Sequence, residues 1–160
     1  MSLTPLGVVH TLLSLVAIAA AVVALVRDGG VSPKSGVGRV YIWSLVATCL
    51  TGLPIFRHDT IGPPHITGVL TLAVFALAFV AGKTRVFGRA SARVETISYW
   101  ITLLLLGIST VTETLTRLPP SAPLVASPDA PVLKVLYLGL LVLFVIGLTR
   151  QLRRLRSAGA

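Results

Sequence analysis

The sequence predicts an all-α, polytopic membrane helical bundle with five transmembrane helices, its N-terminus outside and its C-terminus cytoplasmic. Three observations predict it. Of the 160 residues, 54% are hydrophobic and only 12% carry charge, about half the charge of an average soluble domain. The mean hydropathy is +0.91, and the charges lie in short islands between long apolar runs, which argues against a soluble globule and against a disordered chain. The basic residues, finally, are divided unevenly between alternate connections, as the positive-inside rule requires of a multi-span protein.

Setting histidine aside, five stretches carry no charge: Met1–Val26, Val40–Phe56, Thr60–Gly82, Thr96–Thr112 and Val135–Thr149. A hydrocarbon core of about 30 Å takes roughly 17 to 25 helical residues, and a helix satisfies its own backbone in lipid. The first four stretches fit. The fifth is shorter and gains a turn if Lys134 snorkels to the interface. Helices are therefore expected over residues 5–26, 39–56, 64–82, 94–116 and 132–150 of a single bundle, 1–160.

Local signals bound these elements. Thr4-Pro5 is a cap followed by proline at the first helical position. Arg27-Asp28-Gly29-Gly30 ends the first helix and opens a turn. Pro54 is expected to kink the second helix by removing one backbone bond. Pro63-Pro64 opens the third helix and Pro131 the fifth. Pro119, Pro120, Pro123 and Pro128 keep Leu118–Ala130 out of helix, as an ordered loop or strap. No basic residue precedes Arg27, and the Leu6–Val26 run is long for a signal-peptide core, so a cleaved signal is not expected.

With five crossings, one pole collects Arg27, Lys34 and Arg39, then Lys83, Arg85, Arg89 and Arg93, then Arg150, Arg153, Arg154 and Arg156. The other holds Arg57, Arg117 and Lys134, so eleven of fourteen basic residues share one side. That side is the cytoplasm. The net charge of +9 then follows from topology, with some attraction to anionic lipid, and no nucleic acid is implied. The single cysteine, Cys49, excludes an intramolecular disulfide and any multi-cysteine metal site.

The same topology sends His10, His58 and His65 to the outer pole, with Glu113 about one turn before the outer end of helix four. At 100° per residue, Ser98, Thr102, Ser109, Glu113 and Thr116 fall within about 60° of one another. His10, Ser14, Ala17, Ala21 and Ala24 share a face whose small residues permit close packing, and Ser44, Thr48 and Thr51 make a stripe on helix two. Neutral imidazoles with a carboxylate suit a transition metal, so His10, His58, His65 and Glu113 are the candidate metal ligands. Two imidazoles from different helices suit a haem iron, with His10 and His65 the candidate axial pair. Intramembrane ionisable groups are functional candidates because burying them is costly.

Plainer roles stand beside these. His58 and Asp59 suit an interface, and His65 a helix cap. His10 and Glu113 suit interhelical hydrogen bonds, and Glu113 an ion pair with Lys134 or Arg117. Cys49 suits packing. Tyr41, Trp43, Tyr99 and Trp100 lie near the inner ends of their helices, as an aromatic belt does, and Tyr137 marks the outer belt.

The run Lys34-Ser35-Gly36-Val37-Gly38-Arg39-Val40-Tyr41, following a histidine in helix one, resembles an uncharacterised family of small bacterial inner-membrane proteins. That family pairs a helix-one histidine with His-Arg-x-x-Gly-Arg-x-Tyr opening helix two. Gly38, Arg39, Tyr41 and His10 match, whereas Lys34 and Ser35 stand in place of the motif's histidine and arginine. The resemblance covers about half the chain. It implies a multi-pass helical bundle of the bacterial inner membrane, distantly like small haem-carrying membrane proteins, with no established reaction. Read from the residues alone, the glycines give a tight turn and Arg39 anchors a helix start at the headgroups.

Two functions therefore compete. One is a small membrane protein binding a metal or haem iron near the outer face, with a redox role if haem is held. The other is a non-catalytic accessory or assembly subunit, its partners the bilayer and other membrane subunits or further copies of itself. A small transporter with a Glu113–His10 proton relay ranks behind both, since no second half mirrors the first. No reaction is assigned by the sequence.

Overall fold

The computed structural model describes residues 4–55, 61–119 and 121–157. They form five α-helices: α1 (Pro5–Asp28), α2 (Gly36–Gly52), α3 (Pro63–Thr84), α4 (Ser91–Arg117) and α5 (Pro131–Ser157), with a 3₁₀ turn at Gly88–Ala90 leading into α4. Among the described residues, four segments are long and apolar enough to cross a membrane: α1, α3, α4 with its preceding turn, and α5. The protein is thus a small, all-helical, multi-span membrane protein. At 17 residues, α2 is about 25 Å long, a little under the hydrocarbon thickness of about 30 Å.

The helix ends follow from local chemistry. Thr4 accepts a hydrogen bond from the Gly7 amide at 3.1 Å, and Pro5 takes the first helical position, where no N–H is missed. At the far end Gly29 adopts φ +70°, a left-handed conformation that glycine enters without a Cβ clash. From there the Gly29 and Gly30 amides bond back to Leu25 and Ala24 at 3.1 and 3.3 Å, closing the orphan carbonyls of α1. Ser35 caps α2 by accepting from the Gly38 amide at 3.0 Å, which starts that helix at Gly36 instead of residue 39.

The expected kink at Pro54 is replaced by a helix end. Proline offers no N–H to the Leu50 carbonyl, so α2 stops at Gly52 and the chain turns on an Ile55 N–H to Gly52 carbonyl bond of 3.1 Å. In α5 the helix runs on through Arg150, Arg153, Arg154 and Arg156 to Ser157. Arginine, leucine and glutamine are good helix formers, and basic side chains suit the negative end of the helix dipole. After α4 the proline-rich segment folds back on that helix, with the Val125 amide bonded to the Leu115 carbonyl at 2.9 Å and Val125 buried.

Contacts fix an up-and-down order. His10, near the start of α1, meets Thr48 and Thr51 near the end of α2, so this pair is antiparallel. Gly68 of α3 faces Leu53 and Cys49, and Gly82, near the end of α3, lies against Glu95, near the start of α4. Tyr137 of α5 bonds Thr112 of α4 at 2.6 Å, while Gln151 bonds Trp100 further back along α4. The C-terminal part of α5 returns beside the end of α1, where Gln151 and Arg154 cover Gly30 and Gly29.

Ala17, Ala21 and Ala24 are buried on α1, with Ala20 beside them. Small side chains let α1 approach α2 closely, which is how helices associate when lipid is as apolar as their own surfaces. The seam continues into an aromatic cluster. Tyr41 of α2 packs in a tilted arrangement, 6.2 Å between ring centroids, against Phe75 of α3, which meets Tyr99 of α4 edge-on at 6.3 Å. This corrects the aromatic-belt expectation for three of its residues. Tyr41, Tyr99 and Trp100 are all buried, whereas Trp43 is 69% exposed, as a belt residue should be. Depth along a helix places a ring near the interface, but the helical face decides whether it meets lipid or neighbours.

Candidate functional site

His10 is half-buried in the α1–α2 seam. Its Nδ1 lies 3.0 Å from the Thr48 carbonyl oxygen and 3.3 Å from Thr51 Oγ1. A carbonyl can only accept, so Nδ1 carries the proton and the neutral ring keeps its lone pair on Nε2. Thr48 and Thr51 belong to the polar stripe read on helix two, so that stripe found its partner. Gly52 leaves room for the ring: a Cβ there would fall 2.9 Å from His10 Cε1.

His65 occupies the third position of α3, where its Nδ1 accepts the Gly62 amide at 3.2 Å. This is a reach-back cap on an orphan N–H. It fixes the opposite tautomer, with the neutral ring's proton on Nε2. The ring borders an apolar hollow of about 530 Å³ walled by Leu53, Ile61, Ile66, Val69 and Leu70.

Glu113 is 36% exposed and ion-paired with Arg117, one turn further along the same helix. Of the pairings weighed from the sequence, the structure selects Arg117 over Lys134. A neighbour four residues away needs no loop closure and little ordering to be met. Glu113 lies on the half-buried outer part of the stripe, with Ser109 and Thr116, whereas Ser98 and Thr102 are buried. His58 lies outside the described residues.

Among the described residues, the candidate donors are not brought together at one point. A first-row transition-metal ion such as zinc or iron needs ligand lone pairs converging within about 2.0–2.2 Å of one point. His10 offers Nε2 from the α1–α2 seam, His65 spends its Nδ1 lone pair on a backbone cap, and Glu113 is held by an arginine. Among the described residues no group of three or more His, Cys, Asp or Glu side chains is placed to hold a metal.

What the polar groups do instead is join helices. Tyr41 Oη and Thr102 Oγ1 are 2.9 Å apart and fully buried, tying α2 to α4. Thr112 to Tyr137 and Trp100 to Gln151 tie α4 to α5, and His10 ties α1 to α2. The first of these was legible in part, since Tyr41 continues the Ser44–Thr48–Thr51 face at helical spacing. Gln151 carries no such signal, because it lies beyond the apolar run that marked helix five. No protein-family model, curated protein or solved structure matches the chain.

Proposed function

We propose that the protein is a non-catalytic accessory or assembly subunit of a larger complex in a bacterial inner membrane. The observation that carries this reading is the use made of the buried polar side chains. Each interhelical bond from His10, Tyr41, Thr112 and Trp100 is spent on holding neighbouring helices in register. Such bonds contribute on the order of 1 kcal/mol each in a bilayer. Meanwhile α5 stands at the edge of the bundle with Leu133 its only buried side chain among the described residues, leaving a long face for another membrane subunit.

Gly139 offers a clean test. It lies on the open face of α5, with no atom within 4 Å of where its Cβ would be. Leucine there costs the lone chain nothing sterically and improves helix propensity. Gentle extraction from native membranes should yield a stoichiometric complex with one further membrane protein. Gly139→Leu should dissociate it while the unfolding temperature stays at the wild-type value. A wild-type protein that extracts alone, or only as copies of itself, overturns the reading.

A bound metal or haem iron is the second reading, and one observation favours it. A histidine whose Nδ1–H is held by a backbone carbonyl, as His10 is by Thr48, presents Nε2 the way ligating imidazoles commonly do. Metal analysis and an optical spectrum of the same preparation separate the two, because this reading needs stoichiometric metal or a haem band that His10→Ala abolishes.

Five crossings with the N-terminus outside belong to the same proposal. The antiparallel α1–α2 pair and the return of Arg154 beside Gly29 support a single basic pole. Reporter fusions after Gly88 should read as cytoplasmic and after Pro123 as external; a cytoplasmic signal at Pro123 rejects the orientation.

A further inference from the structure

Where α5 returns beside the end of α1, the two helices leave a hollow of about 280 Å³. Three arginines line it: Arg27 from α1, and Arg150 and Arg154 from successive turns of α5. The largely buried Trp100 indole borders it, packed where Gly147 has no side chain; a Cβ on Gly147 would fall 2.0 Å from the ring. Leu25 and Val26 make the apolar wall, and Val26 is 84% exposed.

The charges do not cancel within the protein. Arg27 is paired with Asp28 through contacts of 2.8 and 3.0 Å. Arg150 and Arg154 are like charges one helical turn apart, an arrangement that costs stability. Among the described residues neither has an ion-pair partner. Three guanidinium charges, less the Asp28 carboxylate and about half a charge from each of the two nearby helix ends, leave the hollow positive by about one charge.

We propose that this hollow is a binding site for the phosphate of an anionic phospholipid. Guanidinium forks match phosphate oxygens in pairs, and basic pockets between membrane helices are suited to anionic headgroups. The apolar wall decides between a lipid and a free anion. Val26 leads from the arginines onto the exposed apolar side of α1, so a headgroup held at Arg150 and Arg154 lays its acyl chain against hydrocarbon. Free phosphate would gain nothing from that wall. This inference is independent of the accessory-subunit reading, because it concerns lipid and not a protein partner.

The test uses the full chain with Trp43→Phe, which leaves Trp100 as its tryptophan, in phosphatidylcholine nanodiscs carrying a minor fraction of phosphatidylglycerol. Bromines on the phosphatidylglycerol chains should quench Trp100 more than the same bromines on phosphatidylcholine. The Arg150→Gln/Arg154→Gln pair should weaken the preference by roughly tenfold or more, the combined loss of two cations at a membrane surface. Arg150→Gln alone should move it part of the way. Arg153→Gln/Arg156→Gln removes the same charge from exposed positions outside the hollow and should leave the preference intact. Equal quenching by both lipids, or equal loss in both double variants, overturns the site. If inorganic phosphate displaces the phosphatidylglycerol and binds as well in its absence, the hollow is a free-anion site and the lipid assignment falls.

Discussion

Tyr41→Ala should destabilise the bundle by about 3 kcal/mol or more, at the lower end of what large aromatic truncations cost in protein cores. The lower end is appropriate because lipid supplies little hydrophobic drive, so the loss is mainly of packing contacts. Tyr41 is fully buried, contacts Phe75 and holds Thr102, itself 0% exposed. Truncation opens a cavity where α2, α3 and α4 meet and leaves the Thr102 hydroxyl with only the Tyr99 carbonyl as partner. Tyr41→Phe separates these effects. It keeps the ring and removes one buried hydrogen bond, at about 1 kcal/mol. Thermal unfolding in detergent, followed by near-UV circular dichroism, measures both. A Tyr41→Ala protein as stable as wild type would return this ring to the lipid interface.

The contrast between Tyr41 and Trp43 shows what the sequence could carry. Apolar run length and proline placement locate helices, and caps such as Thr4, Gly29 and Ser35 bound them through interactions made within one turn. Small residues on one face of α1 announce a close interface for the same local reason. The candidate site was less legible. His10, His65 and Glu113 share a pole by topology, but a shared depth is not a shared point, and azimuth between non-adjacent helices is written nowhere in a single chain. Each group found a nearer partner first. His65 met its own cap, Glu113 met Arg117, and His10 met the polar stripe on the helix it already packs against. The basic pole was legible as charge, while the hollow between Arg27, Arg150 and Arg154 arose only when α5 extended beyond its apolar run to cover the Gly29–Gly30 turn.

Gly36 and Gly38, two residues apart in one short motif, should respond to alanine with opposite sign. A Cβ on Gly38 would lie 1.9 Å from the Ser32 carbonyl oxygen and 2.8 Å from its carbon. Those are backbone atoms of the preceding turn, so no side-chain rotation relieves the clash. Gly38 is needed for this close approach and not for an unusual torsion, since it is not among the positive-φ glycines. Gly38→Ala must push the turn away from α2, loosening the Ser35 cap and the buried Val31 with it. The expected cost is about 3 kcal/mol, the upper part of the range for overpacking. At Gly36 nothing lies within 4 Å of the corresponding position, and alanine there gains helix propensity and restricts the unfolded chain, by up to about 1 kcal/mol. Unfolding temperatures of the two single variants in one detergent decide the matter. If Gly38→Ala matches Gly36→Ala, the turn does not press on α2 as described, and the register that buries Tyr41 fails with it.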